Sequence, residues 1–270
     1  MFKLKNNLIF LFFFFLFSFC LIAKDSKVKL AEIKKEPVKI KYAIFDVNGS
    51  FWKPHTSDIF NKILETQKVS FFDKLKMGGY FIAHKLGTIN VKSAYESFLA
   101  KYKNKTIDDI SKDCSLIWND CCKDSIYKKS VDIFDEHKKN GLTTIIASAT
   151  PEDVYNELLK FYKFDHVCAT VLEKKDGIMT GKLVGSPCAA KDKTKIVTDL
   201  IEKKLGGSLK EVVFYARSQL DINLLKKVGK PVAFNPDPKL KSYAKIKGWE
   251  IIETKDLISA KLPNLLSLSG

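Results

Sequence analysis

Reactive side chains follow three predicted strands of this 270-residue chain, each at the point where the strand ends. Asp46 follows the first apolar strand, Ser148 follows the second, and the loop 217–221 follows a later one. A cluster of three lysines at 191–195 opens a predicted helix. Because ligand sites in parallel sheets lie at the carboxyl ends of the strands, we expect these groups to lie close together.

Together these groups have the chemistry for phosphoryl transfer. Asp46 would attack phosphorus, Ser148 would hold a phosphate oxygen, and a lysine would balance the negative charge. Each residue alone also has an ordinary structural interpretation: Asp46 as a turn residue, Ser148 as a helix cap and the lysines as solvated surface. Function therefore depends on whether the fold brings them to one site.

The elements that must position these residues alternate between strands and helices. Apolar patterns predict strands at 40–45, 142–147, 212–215, 232–235 and around Ile251, and helices from Pro151 and at 194–204, 221–228 and 238–247. Two further apolar runs flank Lys-Lys-Asp-Gly at 174–177, which predicts a β-hairpin over 168–183. This alternation predicts a parallel sheet with right-handed crossovers.

A block without a convincing strand separates the first strand from the others. Apolar residues recur at helical spacing at 59–64, 71–86, 94–102 and 110–134. We therefore predict an α/β core formed by 39–52 and 141–270, with an inserted helical cap at 53–140.

The order of the motifs resembles the haloacid dehalogenase (HAD) superfamily, and specifically its helical-cap subfamily IB, to which phosphoserine phosphatase belongs. Residues 43–50 read Ala-Ile-Phe-Asp-Val-Asn-Gly-Ser and look like the first motif, and 148–151 read Ser-Ala-Thr-Pro and look like the second. Residues 188–193 resemble the third motif, whose lysine falls best on Lys193. Residues 216–221, Ala-Arg-Ser-Gln-Leu-Asp, occupy the place of the fourth, and 235–238, Asn-Pro-Asp-Pro, match the final turn.

This resemblance implies a Rossmann-like parallel sheet core with an inserted all-helical cap and a small β-hairpin flap. It implies hydrolysis of a phosphomonoester, with a small phosphorylated metabolite as partner and Mg²⁺ as cofactor. The implied catalytic residues are Asp46, Asn48, Ser148 and Lys193. The implied phosphate-binding residues are Ser50, Ser148, Ala149, Lys193 and Arg217, and the implied metal ligands are Asp46, Asn48 and Asp221.

Two positions depart from the family pattern. Asn48 stands where the family has an aspartate that is the general acid and base, and an amide cannot exchange a proton at neutral pH. Arg217 stands where the family has an aspartate that binds magnesium, and a guanidinium repels a cation. We expect Arg217 to pair with Asp46, Asp221 or both.

Two functions therefore compete. The first is a phosphatase of altered mechanism, with activity reduced or lost, in which Arg217 supplies the positive charge of the missing metal. The second is a catalytically inactive module that binds a phosphorylated ligand or a protein partner.

The N-terminal residues predict export. Lys3 and Lys5 precede an apolar run over 8–23, which is typical of a signal peptide or a membrane anchor, and 24–38 read as a charged tether. We expect the body in the periplasm or outside the cell, with membrane contact only through the N-terminal segment if it is not cleaved.

The remaining composition indicates no further partner. The net charge of +15 comes from lysines scattered among Asp and Glu, without an arginine stripe or basic residues interleaved with aromatics, so we predict a solvated surface and no nucleic-acid partner. Five of the six cysteines follow the signal and match no zinc spacing, and we predict no disulfide framework.

Overall fold

The computed structural model describes residues 38–67, 69, 70, 75, 79 and 90–260. The predicted signal at 1–23 and the tether, except for residue 38, lie outside the described residues. The predicted helix at 71–86 lies outside them as well, apart from positions 75 and 79. The fold described here is that of the unit that begins at Lys39.

The described part of the chain contains nine strands and eight α-helices. The strands are β1 (Tyr42–Phe45), β2 (Ile126–Tyr127), β3 (Thr143–Pro151), β4 (His166–Lys175), β5 (Ile178–Val184), β6 (Val212–Ala216), β7 (Lys230–Phe234), β8 (Glu250–Ile252) and β9 (Leu257–Ile258). The helices are α1 (Thr56–Thr66), α2 (Val91–Leu99), α3 (Ile107–Ile117), α4 (Lys128–Lys139), α5 (Asn156–Phe161), α6 (Ala190–Thr198), α7 (Ile222–Leu225) and α8 (Pro238–Lys247). None of these helices has both the length and the apolar character that a membrane crossing requires.

Seven strands form one sheet in the order β5-β4-β3-β1-β6-β7-β8. All neighbours are parallel except β4 and β5, which form the predicted hairpin at one edge. β1 lies in the centre, with Phe45 opposite Ile146 of β3 and Tyr215 of β6. The predicted α/β fold with a mostly parallel sheet is therefore confirmed.

Side chains of β1 alternate between two hydrophobic cores, one on each face of the sheet. Ala43 and Phe45 pack in the core that includes the aromatic rings of Phe51 and Phe134. Tyr42 and Ile44 pack on the opposite face, in the core that includes residues of α6 and α7. Burial on both faces is typical of a central parallel strand, and it fixes the position of Asp46, which follows β1 directly.

Three local predictions differ from the structure. The helical block is interrupted by β2, which exists because it pairs with β9 near the end of the described chain. The predicted helix over 110–134 is divided into α3, a π-helical turn at Trp118–Cys122, β2 and α4. Pro151 ends β3 instead of opening an α-helix, and a 3₁₀ turn over Glu152–Tyr155 leads into α5.

Candidate active site

A tight turn after β1 carries the first candidate residues. The backbone N–H of Asp46 donates to Tyr215 O of β6 at 2.9 Å, which continues the sheet by one residue. The N–H of Gly49 then donates to Trp52 O at 2.8 Å and closes the turn. Gly49 has φ +77°, and an added Cβ would collide with Cδ of Arg217. The turn therefore needs glycine for its conformation and for the close approach of Arg217.

Lys193 joins the two carboxylates that the sequence predicted for this site. Its Nζ lies 3.2 Å from Asp46 Oδ1 and 2.8 Å from Asp221 Oδ1. The three residues are 3%, 7% and 2% exposed, in the order Lys193, Asp46, Asp221. The contact to Asp221 is a buried ion pair, and no described residue outside this cluster donates a hydrogen bond to either Asp221 oxygen. The structure thus brings these three predicted residues together.

Burial and charge compete in setting the pKa values of this cluster. Burial raises the pKa of Asp46 to about 7, with a further rise from Asp221, while Lys193 lowers it. Burial alone lowers the pKa of Lys193, but the adjacent Asp221 and Asp46 carboxyls outweigh it and raise that pKa above its ordinary value. Lys193 is therefore a fixed cation, and burial together with the charge of Asp221 brings the pKa of Asp46 close to neutral pH, where both forms of its carboxyl are populated.

Asn48 takes part in a buried hydrogen-bond network. Its Nδ2 donates to Thr56 Oγ1 at 2.9 Å and to Thr150 Oγ1 at 2.6 Å. Its Oδ1 accepts from Trp52 Nε1 at 2.8 Å, and Tyr155 OH lies 3.3 Å from the same oxygen. Both amide donors and the Oδ1 acceptor are used, so Asn48 joins the first turn to α1 and to the end of β3.

Two predicted phosphate-binding residues, Ser50 and Ser148, do not line the cavity that the other site residues form. Ser50 is 1% exposed and its hydroxyl donates to Asp46 O, so the predicted side-chain contact of Ser50 with phosphate is not present in this arrangement. Ser148 is fully buried, and its Oγ accepts from Tyr155 OH and from Thr150 N–H. The hydroxyl proton of Ser148 remains available for donation.

The expected pairing of Arg217 with Asp46 or Asp221 is wrong. Among the described residues, no carboxylate lies within ion-pair distance of the Arg217 guanidinium, because Lys193 already occupies the space between the two aspartates. The side chain of Arg217 instead extends over Gly49 beside His55. It lines the cavity as a cation without a counter-ion in the described part of the chain.

The cavity has a volume of about 230 Å³, which is smaller than the sites of drug-sized ligands. Of the predicted residues, Asp46, Asn48, Ala149, Lys193, Arg217 and Asp221 line it. Its other described lining residues are His55, Thr56, Ser57, Ala189, Ala190, Ser218 and Leu220. Sequence reasoning did not single out this second set, although Ala189 and Ala190 lie within the third motif and Ser218 and Leu220 within the fourth.

A magnesium site of the family type does not fit the residues present. No group of three His, Cys, Asp or Glu side chains able to hold a metal occurs in the described part of the chain. The two carboxylates that remain, Asp46 and Asp221, already share the Lys193 ammonium, and a guanidinium stands at the place of a further ligand.

Comparison with known proteins places this arrangement in a family. Residues 43–226 match the family of haloacid dehalogenase-like hydrolases, and the chain therefore belongs to that family. Over 135 residues it is 32% identical to phosphoserine phosphatase SerB1 of Mycobacterium tuberculosis, which corresponds to 50% of this chain and 44% of that protein. Over 127 residues it is 30% identical to a histidinol-phosphatase of Neisseria meningitidis, with 46% of this chain and 57% of that protein covered. The chain spans about half the length of these curated relatives.

Solved structures show the same fold. A protein of unknown function from Bordetella pertussis superposes with a TM-score of 0.70 at 22% identity, covering 79% of this chain and 98% of that one. A substrate-bound phosphoserine phosphatase superposes with a TM-score of 0.59 at 20% identity, covering 81% and 95%. By its family match the protein is a haloacid dehalogenase-like hydrolase, and these solved structures share its fold.

Proposed function

We propose that this protein binds a small phosphomonoester in the cavity and transfers its phosphoryl group to Asp46 at a reduced rate. One observation carries the proposal: the Asp46 carboxyl opens into the same cavity as two cations, Lys193 and Arg217, of which Arg217 has no carboxylate partner among the described residues. A phosphate dianion entering this cavity would meet a nucleophile and two positive charges.

Each residue has a definite task in this proposal. The ionised Asp46 carboxylate attacks phosphorus, and the oxygen–phosphorus bond to the leaving group breaks. Lys193 keeps Asp46 next to Asp221 despite their like charges, and its position fixes the direction of attack. Arg217, which lines the cavity, neutralises the phosphate oxygens.

Charge balance supports a mechanism with little need for magnesium, the cofactor that the family resemblance implies. The cavity contains two carboxylates, Asp46 and Asp221, and two fixed cations, Lys193 and Arg217. Replacing a metal-binding carboxylate with an arginine removes a negative charge and adds a positive one. We therefore propose that added Mg²⁺ changes the activity only weakly.

The reduced rate follows from Asn48. Because an amide cannot exchange a proton at neutral pH, the loss of a general acid at this position lowers the rate by roughly 10²–10⁴ where no other group supplies the proton. Asn48 also supports a second candidate function, in which the site binds a phosphorylated ligand without turnover. Three side chains hydrogen-bond to its amide, so a position that is catalytic in the family here stabilises the fold.

A phosphate-release screen of the purified protein tests the proposal. We expect slow release from small phosphomonoesters, little difference between added Mg²⁺ and a chelator, and no release by Asp46→Asn. Calorimetric titration with the same esters separates the two candidates: binding without release by the parent protein indicates the ligand-binding function, and absence of both contradicts the proposal.

We also propose that the protein acts outside the cytoplasm. The basic residues and the apolar run at 1–23 support export, and positive charges before such a run stay on the cytoplasmic side. Cell fractionation tests this: recovery of the full-length chain as a free cytosolic protein would contradict it.

A further inference from the structure

None of the described residues given a role in the proposed hydrolysis supplies a proton to the leaving group. The leaving oxygen of an alkyl phosphate needs a proton as its bond to phosphorus breaks, and Asn48 cannot give one. Two other cavity groups are unsuitable: Lys193 has a raised pKa, and the Arg217 guanidinium does not deprotonate in proteins. Asp46 is the nucleophile, and Asp221 faces the Lys193 ammonium.

We propose that His55 is the proton donor and acceptor of this site and replaces the carboxyl that Asn48 lacks. This inference rests on the proposed phosphomonoester hydrolysis. Among the described histidines, His55 alone lines the cavity. His137 is hydrogen-bonded to Tyr215 OH in the core, and His166 begins β4.

The fold holds His55 against the first turn. A Cβ added to Gly49 would lie 2.7 Å from His55 Nδ1, so the imidazole lies against the residue that directly follows Asn48. The backbone N–H of His55 donates to Asp58 Oδ2 at 2.8 Å, and Thr56, the next residue, accepts from Asn48. These bonds fix the start of α1, and with it the imidazole, beside the turn that carries Asp46.

The charges around His55 suit a residue that both gives and takes a proton. Burial and the neighbouring Arg217 lower the pKa of His55, and Asp58 on its own helix raises it. Asp46, Asp221 and Lys193 face the same cavity. A bound phosphate dianion adds negative charge, which favours the imidazolium while substrate is present, and departure of the alcohol leaves a neutral imidazole.

The two half-reactions then balance. In the first, an Asp46 oxygen forms a bond to phosphorus, the bond from phosphorus to the ester oxygen breaks, and the imidazolium of His55 gives its proton to that oxygen, releasing an alcohol. In the second, neutral His55 takes a proton from a water molecule as its oxygen attacks phosphorus. The bond from Asp46 to phosphorus breaks, and inorganic phosphate leaves.

The test compares leaving groups. A general acid matters for ethyl phosphate, whose alcohol is a poor leaving group, and little for para-nitrophenyl phosphate, whose phenolate needs no proton. We expect His55→Gln to lower kcat/KM about 10²-fold or more for ethyl phosphate and less than about threefold for para-nitrophenyl phosphate. His166→Gln, outside the cavity, is the matched control and should change neither.

The pH profile gives a second measurement. On the alkaline side of the pH optimum, where Asp46 is ionised, kcat/KM of the parent protein for ethyl phosphate should fall as His55 loses its proton, and this fall should be absent from His55→Gln. If His55→Gln does not fold, the same measurements are made on His55→Asn. Equal losses for both substrates, or an unchanged pH profile, overturn the role of His55 while phosphatase activity stands. A parent protein inactive on both esters overturns the proposed function and this inference with it.

Discussion

Replacement of Lys193 by methionine tests the charge arrangement on which the site depends. The methionine keeps most of the aliphatic volume in α6 and removes the ammonium that lies 2.8 Å and 3.2 Å from two buried carboxylates. Removing one partner of a buried ion pair is strongly destabilising, since it leaves an uncompensated charge.

The size of the effect follows from the protonation of the two aspartates. Burial raises the pKa of Asp46 to about 7 even though Lys193 lowers it, so removal of the ammonium forces at least one of the two buried carboxyls to stay protonated. Keeping one carboxyl with an ordinary pKa of about 3.9 protonated costs about 4 kcal/mol at about pH 7 and about 1.5 kcal/mol at about pH 5. We therefore expect Lys193→Met to lower the free energy of unfolding by up to about 4 kcal/mol at about pH 7, and by about 2.5 kcal/mol less at about pH 5.

The sign follows from linkage. In the variant the folded state binds a proton more tightly than the unfolded state. The free energy of unfolding of the variant therefore falls as pH rises. Urea denaturation at the two pH values measures it, with Lys195→Met as control because Lys195 is exposed on the same helix. Equal stability of the two variants, or a loss at Lys193 that does not depend on pH, would refute the reasoning.

Three further perturbations test other parts of the structure. The double change Asn48→Asp with Arg217→Asp should raise Mg²⁺-dependent phosphate release above that of the parent. Arg217→Asp alone should raise Mg²⁺ binding more than turnover. A parent protein that already binds Mg²⁺ tightly contradicts both expectations. Gly49→Ala should lower the free energy of unfolding by about 1–2 kcal/mol more than Gly141→Ala. Both glycines have positive φ, but only at Gly49 would the added Cβ collide with another side chain. Equal losses in the two variants contradict this. Burial lowers the pKa of His137, so the folded state favours the neutral imidazole. The stability that this provides is complete above the ordinary histidine pKa of about 6.5 and is lost as pH falls below that value. His137→Gln should reduce this loss in thermal unfolding below about pH 6.5, and an unchanged slope would exclude His137 as its source.

Local sequence signals are sufficient to specify the sheet and the location of the site. The apolar runs that form β1, β3 and β6 are such signals, and parallel pairing brings their carboxyl ends to one edge whatever the details of packing. The hairpin between β4 and β5 and the helix from Pro238 to Lys247 also follow from local turn and capping residues. Asp46 is therefore identifiable as a site residue from the sequence alone.

The identity of the side chains that meet at that edge depends on long-range packing. Lys193 reaches Asp46 across 147 positions of sequence, and Asn48 reaches Thr150 across 102, so neither contact has a local signal. The same holds for β2, which is a strand because β9 lies beside it.

Arg217 illustrates this dependence most directly. From sequence, a guanidinium near two aspartates is expected to pair with them, since opposite charges attract. In the fold, α6 places Lys193 in that space, and Arg217 extends over Gly49 beside His55. Residue types determine which charges the site contains, and tertiary packing determines which of them remains free to meet a ligand.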